Sequence, residues 1–178
     1  ENATIYSGDE SRKEAVEPFT NYFVGRLKQG FNKGSTTIGV IATSTIRNIK
    51  DEQLEFLADK SFVGGLDFDH NWKNRKYFVN GKSFFSRIDG SEESISRLQR
   101  SSPHLYQRED AKHLEYNSSL TSLQGWGGEI NGGKRSGILR LTGNVDWRSP
   151  GVDLNDVGYM WQADYIKQET HFIYNINK

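Results

Sequence analysis

The sequence predicts an all-β fold: an antiparallel up-and-down β-barrel of the outer-membrane type, part of a larger barrel, with a short helix in a long loop. Three observations lead there. Segments alternate apolar and polar side chains with a period of two, these segments are long, and short turns take turns with long polar loops between them. Strands of soluble proteins usually run to about five or six residues. A tilted strand crossing a bilayer needs about nine to eleven.

The first alternating segment is 19–31. Phe19, Phe23, Leu27 and Phe31 share one parity, and Arg26 and Lys28 the other. Asn32-Lys33-Gly34 turns the chain into 35–47, where Ile38, Val40, Ala42 and Ile46 oppose a hydroxyl-rich face. The polar connection 48–61 offers Leu54, Phe56 and Leu57 as packing anchors. Segment 62–72 sets Phe62, Leu66, Phe68 and Trp72 against Asp67, Asp69 and Asn71. Lys73-Asn74-Arg75 turns into 76–87, which carries apolar residues on both faces.

A long polar excursion follows, 89–117. Ser91 can cap a short helix with Glu92 and Glu93 in its first turn and Ile95 and Leu98 on one side. Segment 120–130 is read as a strand and Asn131-Gly132-Gly133-Lys134 as its turn. Segment 137–148 has the plainest alternation: Leu139, Leu141, Val145 and Trp147 against Arg140, Thr142, Asn144, Asp146 and Arg148. Burying the second set in a dry core would be very costly. The first set is therefore expected to face lipid and the second water. After the loop 149–163, the last strand is 164–177. The loops 89–117 and 149–163 are separated by two strands, so they are expected on the same side.

Composition does not choose between a barrel and a polar soluble β-sandwich. Hydrophobic residues are 34% and aromatics 12%, which suits strands greasy on one face only and a polar sandwich about equally. Charge is balanced, 23 Lys plus Arg against 23 Asp plus Glu, so nucleic acid is not expected as a partner. The absence of cysteine excludes disulfides and thiol chemistry. Seven strands is an odd number, whereas single-chain bacterial barrels have even counts, so the chain is not expected to seal a barrel by itself. The polar pair Asn177-Lys178 also differs from the aromatic that usually ends such barrels.

Several segments resemble one family. They are Gly64-Gly65-Leu66-Asp67-Phe68-Asp69-His70-Asn71-Trp72, Ser86-Arg87-Ile88-Asp89-Gly90-Ser91, Tyr106-Gln107-Arg108-Glu109-Asp110-Ala111 and, most strongly, Trp147-Arg148-Ser149-Pro150-Gly151-Val152-Asp153-Leu154-Asn155-Asp156-Val157-Gly158-Tyr159. The chain is similar through them to domain-of-unknown-function family 5916. That resemblance implies a bacterial outer-membrane barrel domain, common in Bacteroidota, which usually follows a domain like the family-nine carbohydrate-binding modules. It implies no catalytic residue and no cofactor. In the family a Gly-rich strand region follows a segment like Asn2-Ala3-Thr4-Ile5-Tyr6-Ser7-Gly8. Here that segment runs straight into Asp9, which suggests a missing segment between residues 8 and 9 of an otherwise single domain, 1–178.

The candidate ligand residues are those of the watery face: Asp67, Asp69, Arg140, Asp146 and Arg148. Asp67 and Asp69, at i and i+2, lie about 7 Å apart. Such a pair suits glycoside hydrolysis or cation binding, and equally a hydrated wall. Asp153, Asn155 and Asp156 form an oxygen-rich loop that could take a cation, but the spacing of a helix-loop-helix calcium site is absent and turn chemistry explains it as well. The four histidines have no metal spacing. The expected partners are the lipid bilayer and an outer-membrane lipoprotein or transport complex, in transport or surface handling of a glycan or peptide. Two rival readings stand beside this one: a soluble β-domain that stacks carbohydrate on Trp126, Trp147 or Trp161, and a hydrolase using the carboxylate pair.

Overall fold

The computed structural model describes residues 2–7 and 10–176. Two antiparallel sheets are formed. A small hairpin pairs β1 (Asn2–Ser7) with β2 (Glu10–Ala15). The main sheet has seven strands in chain order, β3 (Phe19–Phe31), β4 (Thr36–Asn48), β5 (Lys60–Trp72), β6 (Tyr77–Asp89), β7 (Ser122–Lys134), β8 (Leu139–Arg148) and β9 (Tyr165–Tyr174). One helix, α1 (Glu92–Arg100), lies in the β6–β7 connection. No described helix is long and apolar enough to cross a membrane.

The alternation in the sequence places the strands well. Five of the seven are 13 residues long. The largest departure is in β7. The turn expected at 131–134 is instead strand, since Asn131 pairs with Asn80 and Asn144, and Lys134 with Tyr77 and Leu141. The chain reverses after it. The Gly132-Gly133 pair serves close packing rather than a turn, because a Cβ on Gly133 would run into the Thr142 backbone at 2.8 Å. The β1–β2 hairpin was not expected as strand. β2 is built of Glu-Ser-Arg-Lys-Glu-Ala and has almost no apolar face to signal it. The proposed gap between Gly8 and Asp9 lies outside the described residues, as does the terminal pair 177–178.

The main sheet is open. β3 and β9 are its edges and are not paired with each other, so these seven strands do not close a barrel by themselves, as expected from their odd number. Tight turns gather at one end, around 32–35, 73–76 and 135–138, and the three long connections at the other.

The register gives the sheet two unlike faces. One carries Leu27, Val40, Leu66, Trp147 and Ile166 along a single row of cross-strand partners. We call it the apolar face; the opposite, polar face carries the charged residues. The apolar face is also the more exposed of the two: Leu66 is 57% and Trp126 59% accessible, whereas Asp67, Asp69, Glu129 and Asp146 are half-buried.

Among the described residues, the two clusters of buried apolar side chains form where the long connections fold onto the polar face at their end of the sheet. Ile88 and Leu123 from the strands receive Ile95 of α1, with Ala58, Leu98, Tyr106 and Leu120 around them. Ser91 caps α1 as expected, its Oγ accepting from Ser94 N at 3.1 Å. A second cluster joins Val152, Met160 and Ala163 with Phe84 and Leu154. Of the anchors expected in 48–61, Leu54 is buried and Phe56 exposed. Loops 89–117 and 149–163 meet, as the strand count predicts, with Ala163 N donating to Pro103 O at 2.9 Å.

Gly125 makes this docking possible. A Cβ there would fall on the backbone of Gly151 and Val152. Gly125→Val should therefore destabilise the protein by about 1–3 kcal/mol through overpacking and expose 149–163 to protease. Gly64→Val, where a Cβ meets nothing within 4 Å, should leave both the unfolding midpoint and the protease pattern unchanged.

Candidate functional site

The middle of the polar face is a transverse row of direct cross-strand partners: Lys28, Gly39, Asp67, Lys82, Glu129, Asp146 and Lys167. Opposite charges stand side by side at Asp67–Lys82, Lys82–Glu129 and Asp146–Lys167, whereas Glu129 and Asp146 face each other as like charges. Arg26 Nη2 meets Asp67 Oδ2 at 2.9 Å, and Lys82 Nζ meets Glu129 Oε2 at 2.6 Å. Gly39 gives the Asp67 carboxylate room to lean toward β3. A Cβ at that position would lie 2.7 Å from Asp67 Cγ. Each such half-exposed pair contributes about 0–1 kcal/mol, so the row is better understood as a patterned surface than as a source of stability.

The next row toward the tight turns is neutral in its centre. Asn80, Asn131 and Asn144 are consecutive partners, flanked by Asp69 and Glu169. With its amide turned to donate, Asn144 reaches Ile130 O and Glu129 Oε1 at 3.3 and 3.2 Å. Asn131 Oδ1 and the Nε atoms of Arg140 and Arg148 are enclosed but have no partner among the described residues. A depression of about 390 Å³ lies over this part of the face, lined by Arg26, Asp67, Asp69, Asn80, Lys82 and Glu129 among others.

The candidate residues are thus only partly brought together. Asp67 and Asp69 share the polar face; Asp67 is ion-paired with Arg26, and Asp69 accepts from the Asn71 amide. Asp146 accepts from the Tyr165 hydroxyl at 2.8 Å. Arg148 donates to Gln162 O at 3.2 Å and stacks over the Tyr165 ring. Arg140 reaches Asn175 Oδ1 at 3.4 Å, nearer the tight-turn end. Sequence reasoning missed Lys82 and Asn80, because the mixed faces of β6 hid their shared parity, and it could not foresee the rows, which depend on register. Of the tryptophans, Trp126 and Trp147 belong to the apolar face and Trp161 to the loop 149–164.

The loop oxygens are engaged elsewhere. Asp156 is ion-paired with Arg47. Asp153 and Asn155 build a turn: Asn155 N donates to Asp153 Oδ1 at 2.7 Å, and Met160 N to Asn155 Oδ1 at 2.7 Å. Among the described residues no group of three or more His, Cys, Asp or Glu is placed to hold a metal ion.

The same loops contain a fully buried pair that the sequence did not reveal. His104 Nε2 lies 2.9 Å from Asp153 Oδ2, and His104 Nδ1 2.8 Å from Pro150 O. Ser86 Oγ accepts from Asp153 N at 2.9 Å. Serine, histidine and aspartate are together here, yet both ring nitrogens are occupied and none of the three is open to a substrate. The cluster clamps loop to loop and strand. Removing one member of a buried polar pair leaves the other unsatisfied, so His104→Ala should destabilise by about 3–5 kcal/mol. His113→Ala, whose exposed ring meets Asp164 at 2.9 Å, should shift the midpoint by about 1 kcal/mol or less. Chemical unfolding of both variants checks this.

Tyr106 is a second sensor of loop packing. Burial, and then the nearby Asp164 carboxylate, push its phenol above the ordinary tyrosine value. The folded state favours the neutral form, so this contribution is complete below about pH 10 and is lost as pH rises through the raised value. Alkaline unfolding should show a phase above pH 10 that Tyr106→Phe removes.

No curated protein and no solved structure matches the chain. A family model does, over residues 2–178, nearly the whole sequence. The chain belongs to the family described as Domain of unknown function (DUF5916).

Proposed function

We propose that the chain is a section of β-barrel wall in the bacterial outer membrane, with its apolar face against lipid and its polar face lining a watery lumen, in transport or surface handling of a glycan or peptide. The observation that carries this is the reversal of burial. Leu66, Leu141 and Ile166 are 57%, 47% and 82% exposed, while Asp67, Asp69, Glu129, Arg140 and Asp146 on the other face are half-buried. A soluble monomer rarely presents a contiguous apolar surface beyond a few hundred Å²; a strand wall in lipid requires one. Among the described residues, the only charged ones on the apolar face are Lys60, Arg87 and Asp89 near one end and Lys134 at the other, where the polar headgroups would lie. Ion-paired and amide rows on the opposite face suit a hydroxyl-rich or peptide-like ligand, which exchanges hydrogen bonds with both. A lipoprotein or transport complex as partner fits the same reading. Soluble carbohydrate binding is the second reading, favoured by Trp126 and Trp161, 59% and 67% exposed.

Depth-dependent substitution separates the two. An arginine on a lipid-facing strand costs about 2–4 kcal/mol at mid-membrane and about 0–1 near the interface. Leu66→Arg, mid-strand, should block assembly into membranes. Leu141→Arg, in the row that already holds Lys134, should be mild, and Thr142→Arg on the polar face tolerated. Equal tolerance at Leu66 and Thr142, or a protein soluble without detergent after native purification, would favour the soluble reading.

A further inference from the structure

The tight-turn end of the sheet is strongly and uniformly basic. Its turns and the strand ends beside them carry Lys33, Lys73, Arg75, Lys76, Lys134 and Arg135, and from Asn32 to Ser35, Lys73 to Lys76 and Lys134 to Ile138 there is no carboxylate. None of the six makes an ion pair among the described residues. The long-loop end is mixed with an acidic excess: connection 90–121 carries five carboxylates against Arg97, Arg100, Arg108 and Lys112, and the other two connections are acidic. Connection 49–59 has Asp51, Glu52, Glu55 and Asp59 against Lys50, and 149–164 has three aspartates and no lysine or arginine.

Two further observations give the basic end a direction. Lys33, Lys73 and Arg75 have φ of 57°, 49° and 60°, left-handed positions where glycine or asparagine would cost less. Long cations stand there despite that cost. On the apolar face of the same end, His70, Trp72 and Tyr77 form a stacked ladder with ring centroids 5.5 and 5.7 Å apart. The ammonium groups of Lys73 and Lys76 lie 5.6 and 5.9 Å from the Tyr77 ring centre. Aromatic side chains at the edge of an apolar band, with flexible cations just beyond them, match the chemistry of a headgroup layer: rings at the boundary and ammonium and guanidinium groups among phosphates.

We propose that this end docks on anionic phospholipid headgroups of the leaflet reached by the tight turns, and that this contact fixes the direction in which the sheet sits in the membrane. The proposal rests on the barrel-wall reading above and adds a lipid class and a leaflet to it.

The test uses the full-length protein carrying this chain, folded in detergent, with native mass spectrometry of lipid retained from added dioleoylphosphatidylglycerol or dioleoylphosphatidylcholine. The wild type should retain phosphatidylglycerol in preference. Replacing the six cations by glutamine should weaken phosphatidylglycerol retention roughly tenfold or more and leave phosphatidylcholine retention alone. Because the six-fold variant could fail to fold, Lys73→Gln with Lys76→Gln is made separately and should give a smaller loss in the same direction. Lys→Arg changes at Lys33, Lys73, Lys76 and Lys134 should retain the preference. An unchanged preference in the six-fold variant overturns the proposal while leaving the barrel wall intact. Stronger retention of lipid A than of phosphatidylglycerol also overturns it, by placing this end in the other leaflet. A wild type that stays monodisperse without detergent and takes up neither phospholipid removes the barrel wall itself, and the docking surface with it.

Discussion

A side chain on a β-strand can point to only two faces, and its parity decides which. The register between neighbouring strands then carries that decision across the sheet, because a slip of one residue would turn every following side chain over. From β3 to β9 the pairing runs without a break. Everything else depends on this. Parity keeps Leu66 and Asp67, adjacent in sequence, in different surroundings. It also aligns the charged row, the asparagine row behind it and the apolar rows on the reverse side.

The loops obey a different constraint. The sheet itself has no second layer over most of its area, so dry burial is concentrated where α1 and the 149–164 connection lie against Ile88, Leu123 and Gly125. Buried polar groups there are all the more dependent on partners. His104, Asp153, Ser86 and Gln99 find them within the loops and the strand ends beneath them. The end cap is therefore specific in a way that the open face is not.

Alternation, segment length and turn residues together were enough to find the seven long strands and the order of tight turns and long loops, and capping chemistry marked the helix start at Ser91. They were not enough where local chemistry points two ways. Gly132-Gly133 has the composition of a turn but lies in a strand because neighbouring backbones approach closely. β2 has no apolar parity to detect. The candidate site was legible as a face and not as a place. Asp67 and Asp69 could be put on one side of one strand, but Lys82 and Glu129 enter only through pairings made across long stretches of chain. The clamp of His104 on Asp153, 49 residues apart, left no trace in spacing.

Strand direction has its own arithmetic. Each antiparallel step reverses the chain, and β3 and β9 stand at the two ends of an odd set of seven, so they run the same way. They cannot join as antiparallel neighbours. A second copy related by a twofold axis along the strands would meet the same obstacle, for each seam would set two like-directed strands side by side. A ring that is antiparallel throughout admits this sheet only with an odd number of other strands between β9 and β3. The free edges thus carry a selection rule: a single strand can complete the circle, and a lone hairpin cannot.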